Sequence, residues 1–204
     1  MKNTTLVAFI FFFVAACDGA KAVKKDDKVN PDPTMPIAAS GPNADTNNLD
    51  QDVNTDNFLL AAWISLSGNW PNVSSPSVLM ELTFNIVNQS IPSSPINILS
   101  TSHAAGFKFD GQNHLLSLDG MPSSFNIPTL ASSTQHVYIS SYLKSADGTK
   151  AIVKISYNSD DSTTTGLGLR IHYDNNVLQL SDVNNILEAG LFIRPQATSG
   201  ATNP

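Results

Sequence analysis

The chain has 204 residues, 41% of them hydrophobic, and a formal net charge of −6. From residue 29 onward, 6 basic residues stand against 14 acidic ones, a balance of −8. An acidic field of that size repels phosphate backbones, so nucleic acid is not an expected partner.

Residues 1–17 have the pattern of a targeting segment. Lys2 gives a short positive start, residues 6–16 are almost continuously apolar, and small residues lead to Cys17, the only cysteine. The apolar run is too short to span a bilayer comfortably and has the flanks of a secretory signal. The ending resembles the lipobox of bacterial lipoproteins. This resemblance implies a signal peptide over residues 1–16 and a lipidated Cys17, and the alternative is an ordinary signal peptide with a chance cysteine.

A lipid on Cys17 implies a membrane partner and a place in the cell envelope. Several acyl chains such as palmitate would anchor the protein firmly, since each buried methylene adds about 0.8 kcal/mol. Asp18 resembles the inner-membrane retention signal of enteric bacteria, a rule that does not transfer reliably to other bacteria. The sequence therefore leaves open whether the anchor lies at the cell surface or on a periplasmic face. A modified Cys17 also leaves no thiol for a disulfide, so stability must come from packing.

Residues 17–44 combine lysines, aspartates and prolines without apolar periodicity. Such a composition predicts a flexible tether after the lipidated cysteine. Residues 195–204 are predicted to be a flexible C-terminal tail. Between them, residues 45–194 are long enough for one domain with a substantial core.

The segment 45–194 alternates between apolar and polar residues with the period of β-strands. The clearest case is Gly166-Leu-Gly-Leu-Arg-Ile-His-Tyr-Asp174, whose odd-numbered and even-numbered residues fall on opposite faces. Other predicted strands cover residues 58–66, 78–87, 96–99, 107–109, 115–118, 137–143, 150–157, 178–183 and 191–193. Turn formers separate them, including predicted turns at Ile91-Pro-Ser-Ser-Pro95 and at Asp110-Gly111. Many short strands without helices predict an all-β protein, an antiparallel β-sandwich or barrel.

Two blocks of this β-rich region resemble cohesin-like domains, whose jelly-roll β-sandwich is shared by several carbohydrate-binding modules. One block is 151–187 and includes Thr165-Gly-Leu-Gly-Leu-Arg170. The other is 45–109 and includes Leu59-Leu-Ala-Ala-Trp63 and Gly68-Asn-Trp-Pro71. The resemblance covers about half of the chain and carries no catalytic signature. It implies an antiparallel β-sandwich that binds a protein or polysaccharide partner at the cell surface.

The two blocks stand in the reverse of the family order. A circular permutation would explain this, with new ends in the aspartate-rich loop, because surface loops tolerate new termini. Alternatively, each half completes a sandwich in a neighbouring molecule, which would build a fibre.

Four aspartates in the segment 45–56 form a candidate calcium loop. Asp45, Asp50, Asp52 and Asp56 lie close together in sequence with asparagines between them. Calcium takes six to eight oxygen ligands, and short spacing lets one loop supply several. The loop lacks the glycine and terminal glutamate of an EF-hand, and a solvated acidic loop is the alternative.

The aromatic and histidine residues give weaker signals. Trp63 lies in an apolar strand and is predicted to be in the core, whereas Trp70 lies at a predicted turn and is the candidate sugar-stacking residue. Four histidines without zinc-ligand spacing are interpreted as surface or structural residues, and His172 is expected to point outward from its strand. They are His103, His114, His136 and His172.

No nucleophile or phosphate-binding motif is present in the sequence, so a non-catalytic function is expected. The leading hypothesis is a surface lipoprotein that binds a protein partner in adhesion or assembly, with calcium as a possible stabilising ion. The alternatives are a carbohydrate-binding lipoprotein and a fibre subunit. An exposed Trp70 would favour sugar, a flat aliphatic face would favour a protein, and unpaired strands would favour a fibre.

Overall fold

The computed structural model describes residues 35–64, 76–120, 125 and 127–184. These ranges contain strands and turns, and none of them forms a helix that is long and apolar enough to cross a membrane. The strands are β1 (Met35–Ala44), β2 (Asn57–Ile64), β3 (Ser77–Ile86), β4 (Ser93–His103), β5 (Lys108–Gly111), β6 (His114–Ser117), β7 (Thr134–Lys144), β8 (Lys150–Asn158), β9 (Gly166–Tyr173) and β10 (Leu178–Asn184).

The ten strands form two five-stranded sheets. Sheet A has the order β1-β2-β9-β4-β6, and sheet B has the order β10-β3-β8-β7-β5. Neighbouring strands are antiparallel except β5 and β7, which run parallel. The two sheets pack against each other, which confirms the predicted antiparallel β-sandwich.

The core lies between the sheets and is built by the alternation seen in the sequence. Leu59, Ala61 and Trp63 point inward from β2, and Trp63 is only 1% exposed, which confirms its predicted core position. Leu82 and Phe84 enter the same cluster from the opposite sheet. At about 25 cal/mol per Å² of apolar surface buried, such large inward side chains are the main source of stability.

Both sequence blocks contribute to this one sandwich. β9, from the later block, lies between β2 and β4 of the earlier block, and Arg170 is the cross-strand partner of both Leu60 and Leu99. Every described strand finds its neighbours within the single chain. The relation to cohesin-like domains stays a prediction, and so do both explanations of the block order, circular permutation and completion by a neighbouring molecule.

The first strand lies where the sequence predicts the end of the tether. β1 pairs with β2 at the edge of sheet A. The pairing register shifts twice, once between Met35 and Ala38, across Pro36, and once between Ser40 and Asn43, across Pro42. Proline is tolerated on an edge strand because one side of that strand has no ladder to complete. This edge strand contains two prolines and so has the composition of a linker. The prediction of a flexible tether up to residue 44 is therefore wrong over Met35–Ala44.

Two further predictions about local structure are wrong. Asp110 and Gly111 belong to β5 and not to a turn, because β5 and β6 lie in different sheets and the chain crosses at residues 112–113. β4 is eleven residues long and includes Pro95, which was assigned to a turn. Pro95 pairs with β6, and the ladder with β9 begins at the next residue, Ile96.

Candidate functional site

The aspartate-rich segment 45–56 forms a loop that joins β1 to β2 and closes on itself. The amide of Asp45 donates to the carbonyl of Asp56 at 2.7 Å. Inside the loop, Asp45 Oδ2 accepts from the amide of Leu49 at 2.8 Å, and Asp52 Oδ1 accepts from that of Asn54 at 3.0 Å. Aspartate side chains that bind nearby amides favour such turns.

This loop contacts the outer face of sheet A. The side chain of Asn97, on β4, donates to Asp50 Oδ2 at 2.9 Å and to Asp52 Oδ2 at 3.1 Å. Asn97 is the cross-strand partner of His172 on β9. The loop therefore covers the end of β9 where His172 projects away from the core.

Asp45, Asp50 and His172 form a compact cluster under the loop. Their ligand-type atoms all lie within 4.8 Å of one another. His172 Nδ1 is 3.1 Å from Asp45 Oδ2 and 3.7 Å from Asp50 Oδ2, and all three side chains are 0% exposed. Two carboxylates and an imidazole thus share one buried site.

Several polar atoms of this cluster have no hydrogen-bond partner. They are Asp45 Oδ1 and both ring nitrogens of His172. Nδ1 of His172 nevertheless lies close enough to Asp45 Oδ2 for electrostatic attraction, which opposes the effect of burial on the pKa of His172. Asp50, in contrast, accepts from Thr55 Oγ1, from Asn97 and from the amide of Asp52. Unpartnered buried polar atoms are uncommon in folded proteins, and a bound ion or water is one explanation for them.

Burial dominates the electrostatics of His172. Desolvation lowers its pKa, and the nearby carboxylates of Asp50 and Asp45 oppose that shift without reversing it. Arg170, on the same face of β9, lowers it further. Burial therefore acts against a charged imidazole at this position.

The other two predicted calcium ligands have different partners. Asp52 binds Asn54 and Asn97, and its pKa is lowered chiefly by the backbone hydrogen bond from Asn54. Asp56 accepts from the amide of Asn175 at 2.6 Å and from the side chain of Asn176 at 3.1 Å, so it holds the turn after β9. Only two of the four carboxylates converge, which is a poor fit to the six to eight oxygens that calcium takes.

His172 is the site residue that the sequence analysis missed. The alternation correctly placed it on the outer face of β9, but the loop buries it, so it is not a surface residue. No local signal marks the contact, because the partner aspartates lie more than a hundred positions away. The remaining site predictions, Cys17 and Trp70, lie outside the described residues.

Beyond the loop, the outer face of sheet A carries a group of apolar side chains around Arg170. We use "outer face A" for the outward side chains of the central strands: Phe58, Leu60, Ala62 and Ile64 on β2, Arg170 on β9 and Leu99 on β4. Leu60, Arg170 and Leu99 stand side by side across three strands, and Ile64 is 48% exposed. The guanidinium of Arg170 lies 5.9 Å from the centre of the Phe58 ring.

The chain matches no protein-family model, no curated protein and no solved structure.

Proposed function

We propose that this protein is a non-catalytic surface lipoprotein of a bacterial cell envelope that binds a protein partner through outer face A. The supporting observation is the apolar character of that face. A sheet that faces water on one side normally alternates between apolar inward and polar outward residues. β2 instead carries Phe58, Leu60, Ala62 and Ile64 at its outward positions.

The arrangement of outer face A suits a protein partner. Its row Leu60–Arg170–Leu99 is continuous across three strands, since the three residues occupy paired positions of one sheet. Arginine and aromatic residues are enriched at the centres of protein interfaces, and Arg170 packs near the Phe58 ring. The excess of acidic residues from residue 29 onward favours a partner with a neutral or basic contact surface.

The targeting segment supports a place at the membrane surface. The apolar run before Cys17 and the small residues that precede it favour a lipid anchor, and residues 18–34 would separate that anchor from β1. A lipid-held sandwich with an apolar outer face has the parts of an adhesion or assembly module.

The proposal is tested by site-specific photo-crosslinking in intact cells of the native host. A photoreactive amino acid replaces Ala62 on outer face A, and the matched control replaces Leu143, which is 60% exposed on the outward side of sheet B. We expect position 62 to form an adduct with a second protein and position 143 to form none. Arg170→Ala should reduce the adduct without changing the circular dichroism spectrum.

Three outcomes contradict the proposal. Equal adducts at positions 62 and 143 would show non-specific contact. An adduct only to other residues of the same chain would show that the chain covers its own face. Crosslinking to polysaccharide in place of protein, lost with Trp70→Ala, would favour the carbohydrate-binding alternative.

A further inference from the structure

We propose that Asp45, Asp50 and His172 bind a transition-metal dication of the Zn²⁺ class, and not calcium, between the aspartate loop and β9. This inference is independent of outer face A and of the protein partner. It changes the expected metal, because the sequence indicated an all-oxygen calcium loop.

The charge of the cluster calls for a cation. The side chains of Asp45 and Asp50 are both 0% exposed, and buried carboxylates are costly unless a positive charge compensates them. Among the described residues, His172 is the only basic side chain within ion-pair distance of either carboxylate. Two buried carboxylates thus face a single imidazole, and one dication would balance the formal charge of the pair.

An imidazolium ion pair explains the cluster less well. A protonated His172 has two N–H donors, and each needs an acceptor when buried. Neither ring nitrogen makes a hydrogen bond, although Asp45 Oδ2 lies only 3.1 Å from Nδ1. A metal ion would use the lone pair of Nδ1 directly and would give the unpartnered Asp45 Oδ1 a positive partner, whereas the N–H at Nε2 lacks an acceptor in either arrangement.

The donor set and its spacing indicate the class of metal. Calcium prefers oxygen ligands, whereas imidazole nitrogen suits zinc, copper, iron and nickel. With bonds of 2.0–2.2 Å, two ligands of a tetrahedral zinc ion are about 3.3 Å apart. The distances from Nδ1 to the two carboxylate oxygens, 3.1 and 3.7 Å, bracket that value.

The ion would clamp the loop to the sheet. Asp45 and Asp50 belong to the loop and His172 to a central strand, so a shared metal joins elements far apart in the chain. The centre of the Phe58 ring lies 5.2 Å from that of the His172 ring and 5.9 Å from the Arg170 guanidinium. A bound metal would therefore also hold one edge of outer face A in place.

The test uses the protein produced from its complete sequence, purified in detergent and stripped of metal with a chelator. Zinc, calcium and magnesium chlorides are added separately, and binding is followed by calorimetry and thermal unfolding. Zinc should bind one ion per chain, and at about 100 times its Kd it should raise Tm by about 5–11 °C. Calcium and magnesium should have no comparable effect.

Variants locate the ion. His172→Gln should weaken zinc binding by more than about 100-fold. Loss of a residue that only hydrogen-bonds to a metal ligand costs about 10–100-fold, so a larger loss identifies His172 as a ligand. Asp56→Asn is the matched control, because it removes one charge from the same loop at a carboxylate that binds Asn175 and Asn176 instead. This control should leave zinc affinity unchanged.

A measurement on the unaltered chain covers the case in which His172→Gln fails to fold. In protein labelled with ¹⁵N-histidine, zinc should shift the Nδ1 resonance of one of the four imidazoles. Stabilisation by calcium with no imidazole shift would overturn the proposal in favour of an oxygen site. Binding of neither metal would overturn it as well, leaving the cluster as an ion pair held by the loop.

Discussion

Gly111→Ala gives a sharp test of the packing between the two sheets. Gly111 ends β5 of sheet B and lies against β4 of sheet A. A Cβ atom at this position would lie 2.1 Å from the carbonyl oxygen of Ile98 and 2.6 Å from Cε1 of Phe109. Non-bonded heavy atoms pack at about 3.5–4.0 Å, so the backbone of β4 or β5 would have to move by about 1 Å or more.

The displaced backbone belongs to the core. Ile98 is 2% exposed, and its amide donates to Asn113 Oδ1 at 3.1 Å in the crossing between sheets. Overpacking a core usually costs about 1–3 kcal/mol, and a clash with backbone belongs at the upper end of that range. We expect a loss of about 3 kcal/mol and a fall in Tm of about 6–12 °C.

The assay is urea unfolding followed by tryptophan fluorescence, since Trp63 is buried in the same core. Gly166→Ala is the matched control, because its added Cβ would meet only the carbonyl oxygen of Trp63 at an ordinary 3.6 Å. The control should be neutral or stabilising by about 0.4–1 kcal/mol. If both variants unfold at the same urea concentration as the native chain, the close approach of β5 to β4 is refuted.

Three further predictions concern other parts of the chain. Burial raises the pKa of Tyr173 from 10.0 to about 12, so the folded state holds this proton more tightly. Stability should be unaffected below pH 10 and should fall by about 3 kcal/mol as the pH rises through 12. Urea unfolding measured across this pH range should show a smaller fall for Tyr173→Phe. Asp56→Ala should cost about 1 kcal/mol in urea unfolding, because the amide of Asn175 loses its acceptor, and an unchanged midpoint would contradict this role. Cys17→Ser should abolish incorporation of labelled palmitate and release the protein from membranes, whereas an unlabelled native chain would refute lipidation.

Much of the fold could be predicted because strand alternation is a local property. The pattern around Arg170 fixes which residues of β9 face the core, and Leu169 and Ile171 are buried as the period of two requires. The same argument placed Trp63 inside. It failed at β1 and at Pro95, where prolines on or beside edge strands gave linker and turn signals in segments that form strands.

The candidate site could be predicted only in part. The sequence marked Asp45 and Asp50 as ligand-type residues because they are crowded into one loop. It predicted Asp52 and Asp56 as ligands equally, but in the structure their carboxylates accept hydrogen bonds from Asn54 and Asn176. The carboxylates differ in the direction they face, and that direction depends on turn geometry and on contacts with β4 and the turn after β9.

The sequence by itself determined the strand periodicity, the single core and the acidic character of the loop, because each depends on residues that are neighbours along the chain. Only the tertiary structure brought His172 beneath Asp45 and Asp50. That contact joins a loop near the start of the described chain to a strand near its end. It exists because β9 lies between β2 and β4, an order of strands that local alternation does not specify.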